Sequence, residues 1–203
     1  MLAVTGGKGG AGKTTTALGL GVSLSNRRRE PIVIDADVDM PNLHIRAGVP
    51  DTGLEMLASG GTIDEAATES DRYPGVSIVG ATPGTDLEAA LRNVVTDRPV
   101  VLDGAAGASE RAVKPLRHAD SAVVVTRATP ASVTDAVKSI RMSRAVETPV
   151  AGVLLSRAES VPAEIPETLG AGPVHAVPPV DRPIADDRAR HAYDEIVESW
   201  ANA

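Results

Sequence analysis

A glycine-rich segment near the start of the sequence has the residue types and spacing of a phosphate-binding loop. Residues 7–14 fit the pattern G-x-x-x-x-G-K-[ST], which ends on Lys13 and Thr14. Glycines let consecutive backbone N–H groups point inward at a phosphate chain, and the lysine and hydroxyl supply a cation and a magnesium ligand. An apolar run at 2–5 precedes the segment and a helical pattern at 15–22 follows it, which is the order that a phosphate site at a helix N-terminus requires. The alternative is a glycine-rich turn that contains a lysine by chance.

Two further apolar runs each end on an aspartate. The run 31–35 ends on Asp35 and the run 99–103 on Asp103. Because open α/β sheets gather their ligands at the carboxyl ends of the strands, both carboxylates are expected near the glycine-rich loop. Asp103 has the form of a Walker B carboxylate, which holds magnesium through water while Thr14 ligates the ion directly.

The acids Asp35, Asp37 and Asp39 stand at alternate positions. Such a cluster suggests calcium as an alternative, but the spacing of an EF-hand and its terminal glutamate are missing from the sequence.

Strand and helix patterns alternate along the chain. This order predicts one α/β domain over residues 1–203, with a mostly parallel sheet of seven to eight strands and helices on both faces. Strands are predicted near 2–5, 31–35, 76–79, 99–103, 121–126, 150–155 and 173–177, and helical patterns near 15–22, 54–57, 63–67, 86–91, 129–136 and 184–200.

A second lysine inside the loop, Lys8, adds a family resemblance. Residues 8–14 resemble the deviant Walker A motif of the MinD/ParA group of P-loop ATPases. Within that group, the chain most resembles the archaeal-type MinD-like proteins. The segments 35–43, 103–107 and 126–136 also resemble that group, so the resemblance covers nearly the whole chain. It implies a P-loop NTPase fold with ATP and Mg²⁺ as cofactors.

The resemblance implies roles for individual residues. Lys8 would reach across a dimer interface to the partner's nucleotide, Asp37 would orient the attacking water, and Asp35 would help to organise the magnesium shell. The catalytic set is then Lys8, Lys13 and Asp37, and the metal set is Thr14, Asp35 and Asp103. The implied nucleotide-binding residues are Gly7, Lys8, Gly9, Gly10, Ala11, Gly12, Lys13, Thr14, Thr15, Gly107, Arg157, Pro178 and Pro179. Taken alone, Lys8 could instead be a solvated loop lysine.

The sequence departs from the family pattern at two places. The segment 103–107 keeps its final glycine, whose N–H could approach the γ-phosphate, but it lacks the hydroxyl and the proline that relatives carry. Ser156 precedes Arg157 where most relatives have an asparagine that reads the adenine edge. These changes predict a looser second switch and weaker base selectivity.

Composition argues against several functional classes. The formal charge is −7 and aromatic residues make up 1% of the chain, which disfavours nucleic-acid binding. The absence of cysteine excludes disulfides and disfavours a metal-carrier ATPase of the iron–sulfur scaffold type. The basic run 27–29 follows the first helical pattern, where contact with the helix C-terminus is favoured over a DNA patch.

The two ends of the sequence suggest a cytoplasmic protein. The first strand begins almost at Met1, which leaves no room for a signal peptide. From Asp181 onward, seven acidic groups including the terminal carboxylate stand against three arginines, and anionic headgroups would repel that balance. We therefore expect no autonomous membrane binding, with localisation supplied by an unidentified protein partner.

Together these features predict an ATPase that forms an ATP-dependent sandwich dimer. It would act as a slow, partner-stimulated and nucleotide-controlled switch that positions a division site, a chromosome or a surface assembly. The alternative is a nucleotide-binding scaffold that hydrolyses little or no ATP.

Overall fold

One sheet forms the centre of the computed structural model, which describes residues 1–7, 9–107 and 109–201. In these ranges its strands are β1 (Leu2–Thr5), β2 (Ile32–Ala36), β3 (Thr68–Glu69), β4 (Ser77–Val79), β5 (Val100–Gly104), β6 (Ser121–Thr126), β7 (Val150–Ser156) and β8 (Val174–Val177). Their order across the sheet is β3-β4-β2-β5-β1-β6-β7-β8. All neighbours are parallel except β3 and β4, which are antiparallel.

The central strands are buried along their whole length because both faces of the sheet are covered. Every residue of β1, β2, β5 and β6 is buried. Alternate side chains enter different cores: Leu2 and Val4 pack into one cluster, whereas Ala3 packs into the cluster on the opposite face.

Helices cover both faces of the sheet. They are α1 (Lys13–Asn26), α2 (Leu43–Ala47), α3 (Gly53–Ala58), α4 (Ile63–Ala66), α5 (Leu87–Arg92), α6 (Glu110–His118), α7 (Pro130–Ala145), α8 (Glu164–Leu169) and α9 (Asp187–Ala201). Residues of α1 and α9 share one core cluster, and those of α3 and α5 share another. None of the helices in the described ranges is both long enough and apolar enough to cross a lipid bilayer.

The predicted fold class is confirmed, and the differences lie in short elements. Each predicted strand is present, but the two-residue β3 was missed, as were α2, α6 and α8. Proline argues against a helix in α6, which contains Pro115, and in α8, which contains Pro166, and α2 has only five residues. The terminal helix begins at Asp187, three residues later than the predicted range 184–200.

The run 27–29 contributes to packing between two helices. Arg27 donates to Asp194 at 2.9 Å and to Glu198, both on α9. Since Arg27 also caps the end of α1, this arginine joins that helix end to its neighbour, whereas Arg28 and Arg29 are exposed.

Parallel packing brings the carboxyl ends of β1, β2 and β5 to the same edge of the sheet. Asp35 and Asp103 lie directly opposite each other in register, and Asp103 in turn faces Val4. The loop after β1 therefore starts beside both aspartates, which is the arrangement that the sequence predicted.

Candidate active site

The loop between β1 and α1 has a backbone that only glycine fits at its critical points. Gly12 caps α1 with φ +103°, in the left-handed region. Gly7 lies so close to α7 that a Cβ atom there would be 2.2 Å from the Cβ of Asp135. A side chain at Gly7 would push the loop away from α7, so this glycine sets the position of the loop.

Lys13 begins α1 and lies below the loop, with only 8% of its surface exposed. Burial lowers the pKa of its ammonium group, and the nearby Asp103 and Asp37 act in the opposite direction. The cation is thus held at a helix N-terminus, where it can meet a phosphate chain.

Asp35 has its carboxylate enclosed by the backbone that follows β2. The N–H of Asp37 donates to Oδ1 at 3.2 Å, and those of Asn42 and Leu43 donate to Oδ2 at 3.0 and 2.9 Å. Burial nevertheless raises the pKa of Asp35 to about 6, because these hydrogen bonds only partly replace water. Asp35 therefore fixes the segment 37–43, a role that its predicted place in the magnesium shell did not include.

Asp103 is as buried as Asp35 but has fewer partners. Thr14 donates a side-chain hydrogen bond to its carboxylate, while Oδ1 is enclosed without a hydrogen-bond partner in the described ranges. Burial first, and then the charge of Asp35, raise the pKa of Asp103 to about 7. A bare, buried carboxylate oxygen next to a threonine hydroxyl is a position that a hard cation would fill.

A cleft of about 510 Å³ opens above these residues. It contains many of the predicted binding residues, namely Gly9, Gly10, Ala11, Gly12, Lys13, Thr14, Thr15, Asp37, Arg157 and Pro178. The exposed Pro179 lies next to the lining rather than in it, and Asp35 and Asp103 are buried below the floor. Lys8 lies outside the described residues.

The glycine that follows β5 has a different partner from the predicted phosphate. The N–H of Gly107 donates to the carbonyl of Gly6 at 3.0 Å, with φ +89° at Gly107. This hydrogen bond ties the loop after β5 to the glycine-rich loop. Gly107 can reach a phosphate only if the bond to Gly6 breaks, and its contact with the γ-phosphate stays a prediction.

Two residues at the site were missed by sequence reasoning. Arg127 Nη2 donates to the carbonyl of Gly10 at 2.7 Å, and Tyr193 of α9 lines the cleft. Arg127 directly follows β6, so its position at a strand's carboxyl end was a usable signal. Tyr193 gave none, because its ring resembles any other core residue of an amphipathic helix.

Ser156 lines the cleft at the position where the family resemblance implies an asparagine that reads the adenine edge. Ser156 Oγ donates to the carbonyl of Thr126 at 3.1 Å, so its proton is already used within the protein. Its Cβ lies below the loop, 3.6 Å from where a Cβ of Gly12 would stand.

With this geometry established, comparison with known proteins decides the family. The family model described as the CobQ/CobB/MinD/ParA nucleotide binding domain matches residues 2–167. The chain belongs to this family. The glycine-rich loop, Asp35 and Asp103 all lie within the matched range.

Two relatives are similar to this chain over most of its length. An uncharacterized ATP-binding protein of Methanocaldococcus jannaschii is 29% identical over 201 residues, covering 89% of this chain and 74% of that protein. The septum site-determining protein MinD of Synechocystis is 28% identical over 170 residues, covering 77% of this chain and 64% of that protein. This chain therefore spans less than two thirds of the cyanobacterial MinD.

A solved structure shares the fold over nearly the whole chain. MinD of Pyrococcus horikoshii, complexed with Mg-ADP, superposes with a TM-score of 0.83 at 23% identity and covers 98% of this chain and 94% of that one. At this identity the likeness establishes the fold, and the site must be argued from its own residues.

Proposed function

We propose that this protein binds ATP with Mg²⁺ in the 510 Å³ cleft and hydrolyses it, releasing the γ-phosphate, as part of a nucleotide-controlled switch. The observation that carries the proposal is the pair of buried charges on Lys13 and Asp103, with the half-buried Thr14 hydroxyl between them and the cleft, beneath a glycine loop. Buried ionisable groups without full hydrogen bonding are costly in a protein alone, and they are arranged here where a phosphate chain and a cation would meet.

The residues fit Mg²⁺ if the nucleotide completes its shell. The described ranges contain no group of three or more His, Cys, Asp or Glu side chains able to hold a metal ion by themselves. Mg²⁺ is usually bound by one or two carboxylates together with substrate phosphates, so Asp103 and the hydroxyl of Thr14 would be enough protein ligands. When bound, the ion would neutralise charge on the phosphates. Asp35 would contribute by holding the neighbouring segment in place.

Hydrolysis requires a group that orients water beside the phosphates. Asp37 follows the end of β2, is half-buried and lines the cleft, so its carboxylate has access to a water at the phosphate end. We assign Asp37 to this role, and Lys13 with the amides of residues 9–15 to holding the phosphate chain. Burial lowers the pKa of Lys13, but the neighbouring carboxylates of Asp103 and Asp37 favour its charged form.

A surface beside the cleft suits the proposed ATP-dependent dimer. Met40, which lines the cleft, is 75% exposed, and Ile45 on α2 is 64% exposed. Large apolar side chains at the rim of a nucleotide site lose this exposure if a second copy closes over it. In the proposed dimer Lys8 acts on the partner's nucleotide, and the assembled state is read by a protein that positions a division site or other cargo.

One observation favours the alternative of a scaffold with little turnover. The loop 104–107 lacks the hydroxyl and proline of relatives, and the N–H of Gly107 is held by Gly6. If that bond persists with ATP bound, the second switch does not reach the γ-phosphate and hydrolysis stays slow.

Phosphate release by the purified chain tests the proposal. Wild type should release phosphate from MgATP, Lys13→Ala should lose nucleotide binding, and Asp37→Ala should bind ATP but turn over about 10²–10⁴-fold more slowly. If Asp37→Ala fails to bind ATP, the water-orienting role is wrong. If wild type binds ATP without turnover, the scaffold alternative holds.

Light scattering in the same samples tests assembly. Wild type should dimerise with MgATP and not with MgADP, whereas Lys8→Ala should bind ATP and remain monomeric with poor turnover. Normal turnover by a monomeric Lys8→Ala protein would refute the role assigned to Lys8 across the interface.

A further inference from the structure

The floor of the cleft includes a phenol ring that no motif singled out. Tyr193 of α9 lines the cleft although only 1% of its surface is exposed. Its ring lies flat against α1, because a Cβ at Gly19 would stand 2.5 Å from Cε2 and 2.7 Å from both Cδ2 and Cζ. Only a glycine at position 19 allows this contact, which fixes the position of the ring and of its hydroxyl.

The Tyr193 hydroxyl has no hydrogen-bond partner in the described part of the chain, although the ring is almost completely buried. It is not among the fully enclosed side-chain oxygens and nitrogens that lack a partner in the described ranges, so the hydroxyl keeps a small accessible surface, and the residue lines the cleft. A buried hydroxyl without a partner is costly, and such a group in a cleft indicates a ligand that completes it. Burial raises the pKa of Tyr193 above its ordinary value, so the hydroxyl can both donate and accept.

The position of Tyr193 along α1 separates it from the phosphate end. Gly19 follows Lys13 by six residues, which is about 9 Å along a helix axis. The phosphates belong at the N-terminus of α1, so the ring lies at the distance of the nucleoside. Val177 shares a core cluster with Tyr193, and Pro178 lines the same cleft, which places the ring beside the end of β8.

We propose that the Tyr193 hydroxyl hydrogen-bonds the edge of the nucleobase and thereby contributes affinity for the nucleoside part of the ligand. The inference rests on the proposed nucleotide binding and extends it to a residue outside the loops that hold the phosphates. Ser156 already donates its hydroxyl proton to the carbonyl of Thr126. The Tyr193 hydroxyl therefore provides a free donor at this end of the cleft.

Titrations of the purified chain with ATP, ADP and inorganic tripolyphosphate test the proposal. Tyr193→Phe keeps the ring on Gly19 and removes only the hydroxyl. The affinities for ATP and ADP should fall by the same factor, about three- to tenfold, while the affinity for tripolyphosphate stays unchanged. Tyr73→Phe makes the same chemical change on a residue outside the 510 Å³ cleft and should leave all three affinities unchanged.

The outcomes separate this proposal from the function on which it rests. If wild type binds none of the three ligands, the proposed function fails. If wild type binds ATP and Tyr193→Phe binds it equally well, the function stands and this inference is overturned. An equal loss for tripolyphosphate would show a structural effect and would also overturn it.

A deoxyribose analogue distinguishes base from sugar. If Tyr193→Phe weakens binding of 2′-deoxy-ATP and 3′-deoxy-ATP by the same factor as ATP, the hydroxyl acts on the base edge as proposed. If the two proteins bind either deoxy analogue equally well, the contact is to the ribose and the assignment to the base is wrong. Thermal unfolding without nucleotide should show Tyr193→Phe to be at least as stable as wild type, because the variant loses no internal hydrogen bond.

Discussion

Asp35 and Asp103 stand one residue before the ends of neighbouring strands and are equally buried, but the protein surrounds their carboxylates differently. Asp35 accepts three backbone N–H groups, whereas Asp103 accepts the Thr14 hydroxyl and leaves Oδ1 bare in the described ranges. The first carboxylate is used to fix a loop, and the second remains available to a cation. Two aspartates in the same sequence context therefore differ in hydrogen bonding because of the backbone that follows each strand.

Replacement of the less satisfied carboxylate should have the largest effect. Asp103→Asn keeps the size of the side chain but removes the charge that would hold Mg²⁺. Phosphate release from MgATP should fall by at least about 10²-fold, a loss in the range found when charge stabilisation is removed from an active site. Release at more than a tenth of the wild-type rate would place the metal on other residues.

The same substitution should stabilise the metal-free protein. At pH 8, above the pKa of about 7, Asp103 is charged and buried. Removing that charge should raise the free energy of unfolding by about 1–3 kcal/mol, measured by urea denaturation in EDTA. Asp35→Asn is the matched control. It should gain at least about 1 kcal/mol less, because an amide cannot accept from all the N–H groups that Asp35 satisfies. Equal gains would remove the distinction between the two aspartates.

The pH dependence of stability should differ between wild type and Asp103→Asn. The pKa of Asp103 is raised from 3.8 in the unfolded chain to about 7 in the fold, so the folded state binds more protons between these values. Its contribution is therefore fully present below pH 4 and is lost as the pH rises through about 7. In EDTA, wild type should lose stability relative to the variant between pH 5 and 8. Parallel curves would show that Asp103 is not buried as a charge.

A smaller effect is expected on the other side of the glycine loop. Arg127→Ala removes the hydrogen bond to the Gly10 carbonyl but no group proposed to touch magnesium. ATP affinity should fall by about three- to tenfold, because the loop amides lose part of their preorganisation. Arg141→Ala removes the same charge from an exposed position on α7 and serves as the control. Equal affinities in all three proteins would show that the loop holds its shape without Arg127.

The sequence predicted those parts of the site that depend on local patterns. The loop at 7–14, and the aspartates that end apolar runs, are positioned by strand and helix periods that are readable within a few residues. What surrounds each aspartate was not readable, because the three N–H groups on Asp35 depend on the path of the segment 37–43. The contact of Arg127 with Gly10 joins residues 117 positions apart, and the approach of Tyr193 to α1 is similarly long-range.

The most direct test of the central claim is the coupling between Mg²⁺ and ATP at Asp103. Calorimetric titration of ATP into wild type should give at least about tenfold tighter binding with Mg²⁺ than in EDTA, whereas in Asp103→Asn the two affinities should differ by less than about twofold. The same tenfold preference for Mg²⁺ in both proteins would contradict the claim that the bare oxygen of Asp103 holds the metal.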